Sequence, residues 1–339
     1  MHYDVFNGDA DGIIALLQLN FDKDQVLSPS TLITGVKRDI ELVKQVDSSQ
    51  ASSVTILDIS LEKNIQPLQA LLDANIDVFY VDHHRTGEIP QSTHLSCIFD
   101  TDANTCTSLL VNKHLNGQYV NWAIAAAFGD NMFDSADSLA RKVGLSELQT
   151  SQLKELGTYI NYNGYGQNLS DLHFHPAELY QALLKYPDPF ALIAEKDSIF
   201  SQLKTAYLTD MAKAQAAEVL NDSAIVKTIL LDDAPWARRV SGVFGNALAN
   251  QAPDKAHIVV TLNSSNNSKK SAVAEQNNDK AKQTYTLSLR APLNNKQGAG
   301  DICAQFATGG GRAAAAGVNI LPAKNLSKFI DCVESYYQA

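Results

Sequence analysis

The sequence has no run of the roughly 18 consecutive apolar residues that a membrane-spanning helix needs; its longest candidate, Ala123 to Phe128, is far shorter. It is poor in cysteine. The four present (Cys97, Cys106, Cys303 and Cys332) form no close-spaced pair, which argues against a zinc ribbon or a disulfide framework. Basic residues are outnumbered, 27 Lys and Arg against 37 Asp and Glu, and a net charge of -10 opposes the wrapping of long duplex nucleic acid, whose phosphates the overall field would repel. A local basic patch can still serve a short or small phosphorylated ligand. The opening MHYDVFNGDADG places Asp4 and Asp9 where a secretion signal needs basic and then apolar residues, so a cytoplasmic protein is expected. What is present is ordinary for a globular chain, 45% apolar and 19% charged residues. At 339 residues it exceeds what one hydrophobic core comfortably serves, and two domains are expected.

Strand-like apolar runs alternate with helical patterns from the N-terminus: Tyr3 to Phe6 then Ile13 to Leu19, and Thr31 to Val36 then a helix over Asp39 to Val46. Ser53 to Leu57 follows, ending on Asp58, then a helix near Glu62 to Ala74, then the strand from Asp77 that ends on Asp82. That order implies an α/β fold with a parallel sheet and helices on both faces. Helical segments follow at Thr107 to His114, Trp122 to Phe128, Asp137 to Lys142 and Leu145 to Leu156. The stretch KYPDPF (185–190) reads as a connector, ahead of a long helix over Ile199 to Leu220. A smaller α/β unit follows, with strands at Ala224 to Leu231, His257 to Leu262 and Tyr285 to Arg290. The polar segment 263–282 between the last two reads as a long exposed hairpin connection or a disordered loop. The expected division is a catalytic domain over 1–187, a helical connector over 188–222 and a substrate-binding domain over 223–339, the two domains facing one another across a cleft.

Ligand sites of an open parallel sheet form beyond the carboxyl ends of its strands. Three expected strands finish there with acid: Asp9 and Asp11 in NGDADG, Asp58 in LDIS, and Asp82-His83-His84 in VDHH. Taken singly, Asp9 and Asp11 read as a turn and helix cap, and Asp58 as a cap of the next helix. Jointly they form one acidic edge, which would repel itself unless a cation sat within it. Carboxylate oxygens mixed with imidazole suit manganese or magnesium, the histidine tilting the choice toward manganese. Two such ions, about 3.5 to 4 Å apart, would make a two-metal hydrolysis site.

NGDADG, LDIS, VDHH, AAAFGDN and GGGRAAAAG resemble, in that order, the motifs of the DHH phosphoesterase superfamily with its associated C-terminal domain. That superfamily includes RecJ-type exonucleases, nanoRNases with pAp phosphatase activity, cyclic-di-AMP phosphodiesterases and the family II pyrophosphatases. The resemblance spans Asn7 to Gly317. It implies two Mn²⁺ ions, with Mg²⁺ or Co²⁺ as substitutes, held by Asp9, Asp11, Asp58, His83 and Asp130, Asp58 bridging. Asp134 and Asp137 compete with Asp130 for the last position. His84 would face the substrate phosphate and Asp82 would orient the histidines. Two positions depart from the pattern: Val5 stands four residues before Asp9 where relatives have histidine, and Arg312 stands where histidine is usual.

A TGGGR loop offers backbone N–H groups to an anion because glycine permits close approach. Gly309, Gly310, Gly311 and Arg312, with Arg290 at the end of the preceding strand, are therefore the expected substrate-binding residues, unless the loop is only a tight packing turn. The segment 158–175 interleaves Tyr159, Tyr162, Tyr165 and Phe174 with Gly and Asn, as a base-stacking lid or an ordinary surface segment would. Thr105 or Thr107 is the expected cap of the helix at 107–114. The expected partner is a short single-stranded nucleic acid or small nucleotide, with no long duplex and no membrane; oligomeric state, a homodimer included, stays open. The activity implied is cleavage of short oligonucleotides or linear dinucleotides to mononucleotides. Alternatives are a pAp phosphatase, a cyclic-dinucleotide phosphodiesterase, or a nucleotide-binding regulator of reduced turnover.

Overall fold

Alternating apolar side chains on β1 (His2–Phe6) point to opposite faces of a sheet and build two separate cores. The computed structural model that shows this describes residues 1–21, 30–102, 104–263 and 283–338. Beyond Asn263, the polar segment at 263–282 lies outside the described residues.

The chain divides into two compact units, Met1–Tyr207 and Leu208–Ala339. In the first, β1 joins β2 (Thr31–Ile33), β3 (Ser53–Leu57), β4 (Asp77–Asp82) and β5 (Leu95–Phe99) in an all-parallel sheet of order β2-β1-β3-β4-β5. Between and after the strands run α1 (Ala10–Phe21), α2 (Leu61–Asp73), α3 (Thr107–His114), α4 (Val120–Gly129), α5 (Phe133–Lys142), α6 (Glu147–Gly164), α7 (Pro176–Leu183), α8 (Pro189–Ala194) and α9 (Ile199–Gln215). Val5, Ile56 and Tyr80 pack with Leu61, Leu68 and Leu72 of α2. Their strand neighbours Phe6, Leu57 and Val81 pack with α1, α3, α4 and α6 through residues such as Ile13, Val111, Trp122 and Ile160. Both faces are covered, as a parallel sheet requires.

The second unit begins within α9. It holds β6 (Glu218–Asp222), β7 (Val226–Leu231), α10 (Pro235–Gln251), β8 (Ala256–Asn263), β9 (Thr284–Arg290), α11 (Ala299–Ala304), β10 (Gly309–Gly311), β11 (Ala315–Pro322) and α12 (Leu326–Gln338). Its mixed sheet runs β10-β11-β9-β8-β7-β6, with β7 and β8 parallel and the other neighbours antiparallel. The α/β class expected from the sequence, a parallel-sheet domain followed by a smaller α/β unit, is the fold observed.

Four local readings are corrected. The helix expected over Asp39 to Val46 is only a 3₁₀ turn at Val43–Gln45. Side chains replace its backbone ladder: Asp39 Oδ2 accepts from the Val36 amide at 2.9 Å, and Asn64 donates to the Ile40 carbonyl at 2.6 Å. Edge strand β5 was not anticipated, because Ser96 and Cys97 are exposed and break its apolar pattern. Helix α9 stops at Gln215, and Glu218–Asp222 instead pairs antiparallel with β7. KYPDPF lies inside the first unit, where the Trp122 indole donates to the carbonyls of Tyr186 and Pro187 at 3.0 and 3.1 Å. Among the described residues no helix is long and apolar enough to cross a membrane.

Candidate metal centre

Strand order 2-1-3-4-5 reverses direction between β1 and β3, and ligands of such sheets bind at that switch point, beyond the strand ends. Asp9 follows β1 and Asp11 lies in the first turn of α1; Asp58 follows β3; Asp82 ends β4, with His83 and His84 next. Asp130 arrives from the helical layer as the residue after α4. It is carried there by a close crossing: a Cβ at Gly129 would lie 2.6 Å from Ala10 Cβ and 2.8 Å from the Gly157 carbonyl oxygen, so α4, α6 and the start of α1 meet without side chains between them. Asp58 (φ 57°) and Asn131 (φ 63°), beside Asp130, hold left-handed backbone, a cost that Asp and Asn tolerate and that clusters at functional sites.

These elements converge on one nitrogen. His83 Nε2 lies 3.5 Å from Asp58 Oδ1, 3.8 Å from Asp130 Oδ2 and 3.9 Å from Asp11 Oδ2. Ligand atoms around a small divalent ion, each at about 2.0 to 2.2 Å, stand roughly 3 to 4 Å from one another. The spacing fits such an ion. Asp130 Oδ2 is buried and makes no hydrogen bond in the protein, an atom whose burial a cation would offset. His83, Asp11 and Asp130 form one group of converging ligand atoms; His83, Asp58 and His84 form another. In the second, His84 Nδ1 lies 3.8 Å from Asp58 Oδ1 but only 2.7 Å from Asp82 Oδ1, which engages that nitrogen. Asp82 therefore orients His84 and leaves His83 to the carboxylates. Asp134 is exposed on α5, so it is Asp130 that joins the cluster.

Backbone and hydroxyl groups complete the surroundings. Asp11 accepts from the Thr107 and Ser108 amides at 2.7 and 2.8 Å, so a carboxylate from α1 caps α3. The α3 N-cap position is Cys106, without a side-chain cap, which corrects the expectation of Thr105 or Thr107. Thr107 Oγ1 instead donates to Asp58 at 3.3 Å.

Lys37, in the loop after β2, brings a positive charge into the cluster. Its Nζ donates to Asp9 Oδ2, to Asp130 Oδ1 at 3.3 Å and to Asn161 Oδ1 at 3.2 Å. Burial disfavours the ammonium, yet Asp9, Tyr165 and Asp130 together raise the Lys37 pKa well above its ordinary value. Burial would likewise lower His83, but Asp58, Asp11 and Asp130 push its pKa up to about 10. Burial, then Asp11 and Asp9, raise Asp58 well above the carboxylate range.

No family model and no curated protein matches the chain. Solved structures do. Over 99% of this chain, a DHH-domain protein described as a member of a family of ribosomal proteins superposes at TM-score 0.59 and 11% identity, with 86% of that protein covered. An exonuclease RecJ bound to manganese gives TM-score 0.55 at 16% identity, with 99% of this chain and 90% of RecJ covered. A pGpG-specific phosphodiesterase from Vibrio cholerae gives 0.52 at 12%, with 99% of each chain covered. The fold is the one these DHH-domain and RecJ structures share. At such identities the likeness is one of fold, and chemistry must be argued from the site.

The DHH fold brings Asp9, Asp11, Asp58, Asp82, His83, His84 and Asp130 together in the first unit; Arg290, Gly309, Gly310, Gly311 and Arg312 belong to the second. There the TGGGR stretch is a hairpin, Gly311 facing Ala316 across β10 and β11. Gly311 needs its positive φ of 143°, and a side chain at Gly309 would run into the Cys303 carbonyl. Gly310 is exposed and a side chain there would meet nothing. Arg312 is exposed at the turn. Arg290 directs Nε to Asn246 Oδ1 (2.6 Å), Nη1 to Ser288 Oγ (2.9 Å) and Nη2 to the Gly242 carbonyl (3.1 Å), tying β9 to α10.

The aromatic lid is corrected: helix α6 runs through Gly164, Tyr159 and Tyr162 are buried, and Tyr162 stacks edge-on against Tyr207. Only Tyr165 of that set reaches the site, its ring 5.6 Å from Lys37 Nζ. Sequence reasoning missed Lys37 and Asn161. Two signals were available: a lysine following the strand that pairs with β1, and an asparagine inside an apolar helical stripe.

Proposed function

We propose that this protein is a divalent-metal-dependent phosphodiesterase that hydrolyses short oligonucleotides or linear dinucleotides to mononucleotides, with Mn²⁺ as the ion. The observation that carries the reading is the convergence of Asp11, Asp58 and Asp130 on His83 Nε2, with a buried Asp130 oxygen otherwise unmatched. An ion held there would supply Lewis acidity, lowering the pKa of a water and screening phosphoryl oxygens. The protein's own groups do the rest. Asp82 fixes the His84 ring through Nδ1, which leaves Nε2 of that half-exposed imidazole for a substrate phosphate oxygen. Thr107 and the α3 amides hold Asp58 and Asp11 in place. Substrate anion contacts are assigned to Gly309, Gly310, Gly311 and Arg312 of the second unit, with Arg290 fixing β9 rather than reaching out.

A linear dinucleotide is favoured because the Vibrio cholerae phosphodiesterase, matched over its whole length, is described as pGpG-specific. A second reading, a nucleotide-binding regulator of reduced turnover, draws on the commitment of Asp9 to Lys37. The test is release of mononucleotide from a panel of pGpG, pApA, 2- to 12-mer RNA and DNA, pAp, cyclic-di-AMP and pyrophosphate, with Mn²⁺ present. Turnover confined to short linear substrates and lost in Asp58→Ala and His83→Ala supports the first reading. Dinucleotide binding without product supports the second; preference for pAp, a cyclic dinucleotide or pyrophosphate replaces the substrate assignment.

A further inference from the structure

An ammonium has three N–H donors, and that of Lys37 faces three oxygens, from Asp9, Asp130 and Asn161. Asn161 is buried on α6 and its oxygen turns toward Nζ. The lysine backbone is anchored on both sides, its amide donating to the Gly164 carbonyl at 2.9 Å and its carbonyl accepting from Asn7 Nδ2 at 3.2 Å. Asp9 has no oxygen without a donor: Oδ1 accepts from the Asp11 and Gly12 amides at 3.0 and 3.2 Å, and Oδ2 from Lys37. Position 5, on the strand leading to Asp9, offers no ligand, since Val5 is fully buried in the apolar core.

A single nitrogen can ligate one ion. Both groups of converging ligand atoms draw on His83, and in one of them the His84 Nδ1 that lies 3.8 Å from Asp58 is engaged by Asp82 at 2.7 Å.

We propose that Lys37 Nζ stands where a second divalent ion would sit, and that this chain therefore binds one ion, held by Asp11, Asp58, His83 and Asp130 Oδ2. The inference rests on the metal-dependent reading above and departs from the two ions that the family resemblance implies. Lys37 is a positioning residue and a fixed cation, neutralising Asp9 and Asp130 in the way an ion does but without exchangeable water.

The experiment counts ions in the full chain, stripped with EDTA and dialysed against Mn²⁺, by elemental analysis and by low-temperature EPR. Wild type should hold one Mn²⁺ per chain, with the spectrum of an isolated ion. Lys37→Met, of similar length and without charge, should take a second ion and show exchange coupling between the pair, while Lys37→Arg should stay at one. Circular dichroism and a melting curve confirm folding, and Lys37→Gln serves should the methionine variant fail to fold. Two coupled ions in wild type would overturn the proposal. So would a folded Lys37→Met or Lys37→Gln protein that still holds one ion, because something other than the ammonium would then exclude the second. Wild type that binds no Mn²⁺ at all would instead remove the metal-dependent reading itself.

Discussion

Replacing Gly157 by alanine should damage the metal centre from a distance. A methyl there overlaps the Ala125 carbonyl oxygen and comes within 2.9 Å of the Gly129 amide nitrogen, all of it backbone that no rotamer change can relieve. Helices α4 and α6 must part, and overpacking of this kind costs about 1 to 3 kcal/mol. In a unit of this size each kcal/mol lowers the melting temperature by about 2 to 4 °C, so a fall of roughly 2 to 12 °C is expected. The functional consequence is sharper. Asp130 directly follows Gly129, 3.8 Å from His83 Nε2 and 3.3 Å from Lys37 Nζ, and displacement of α4 draws it away from both. Removal of one carboxylate from a small donor set should weaken Mn²⁺ binding by about 10-fold or more, within the range seen when the support of a ligand is lost. Melting curves with and without EDTA, together with Mn²⁺ dialysis, measure both effects. An unchanged melting temperature and unchanged affinity would refute the idea that this crossing sets the position of Asp130.

Other substitutions separate packing from chemistry. Gly310→Ala should leave stability within about 0.5 kcal/mol, since the new methyl meets nothing, whereas Gly311→Ala should destabilise the second unit through its positive φ; a rise in KM for Gly310→Ala alone would mark the hairpin as substrate-contacting. Asp82→Asn should cut kcat by about 10- to 100-fold while Mn²⁺ content stays unchanged, because only His84 loses its orienting partner; a loss of metal would show that Asp82 supports the ion. His83 must be neutral to ligate, and its neighbours push its pKa up to about 10, so each ion captured releases a proton and Mn²⁺ affinity should climb from about pH 6 to about pH 9; a flat profile would exclude His83 as a ligand. In the second unit, burial first and then Lys227 and Lys255 lower His257 from 6.5 to about 4. A histidine depressed in the folded state lets the unfolded chain take the proton first, so stability present above pH 6.5 should be lost as pH falls toward 4, by roughly 3 kcal/mol at most, and His257→Gln should flatten that slope in acid melting curves.

The strand-like apolar runs alternating with helical patterns, and the acids at the strand ends, made the parallel sheet and most of the cluster readable from the sequence. Continuous apolar runs mark strands buried on both faces, and Asp9 and Asp58 follow such strands while Asp82 ends one. The rest depended on contacts distant in the chain. Lys37 and Asn161 meet across 124 positions, a contact that no local pattern announces. The loop at 39–46 carries an apolar spacing that suits a helix, but Asn64, from α2, satisfies its backbone instead. In the aromatic segment, tyrosines spaced for a surface lid are also spaced for one buried helical face, and packing against Phe200 and Tyr207 decides between the two. The glycines of the hairpin looked alike in sequence. Only the backbone distinguishes Gly309 and Gly311, which the fold requires, from Gly310, which it does not.

The most direct measurement is mononucleotide release from pGpG by EDTA-stripped protein as Mn²⁺ is added back, with His83→Ala alongside. The cluster around His83 Nε2 requires that turnover be absent without metal, return saturably with Mn²⁺ and remain absent in the variant. Turnover that survives EDTA, or persists in a folded His83→Ala protein, would contradict a metal-dependent phosphodiesterase built on these residues.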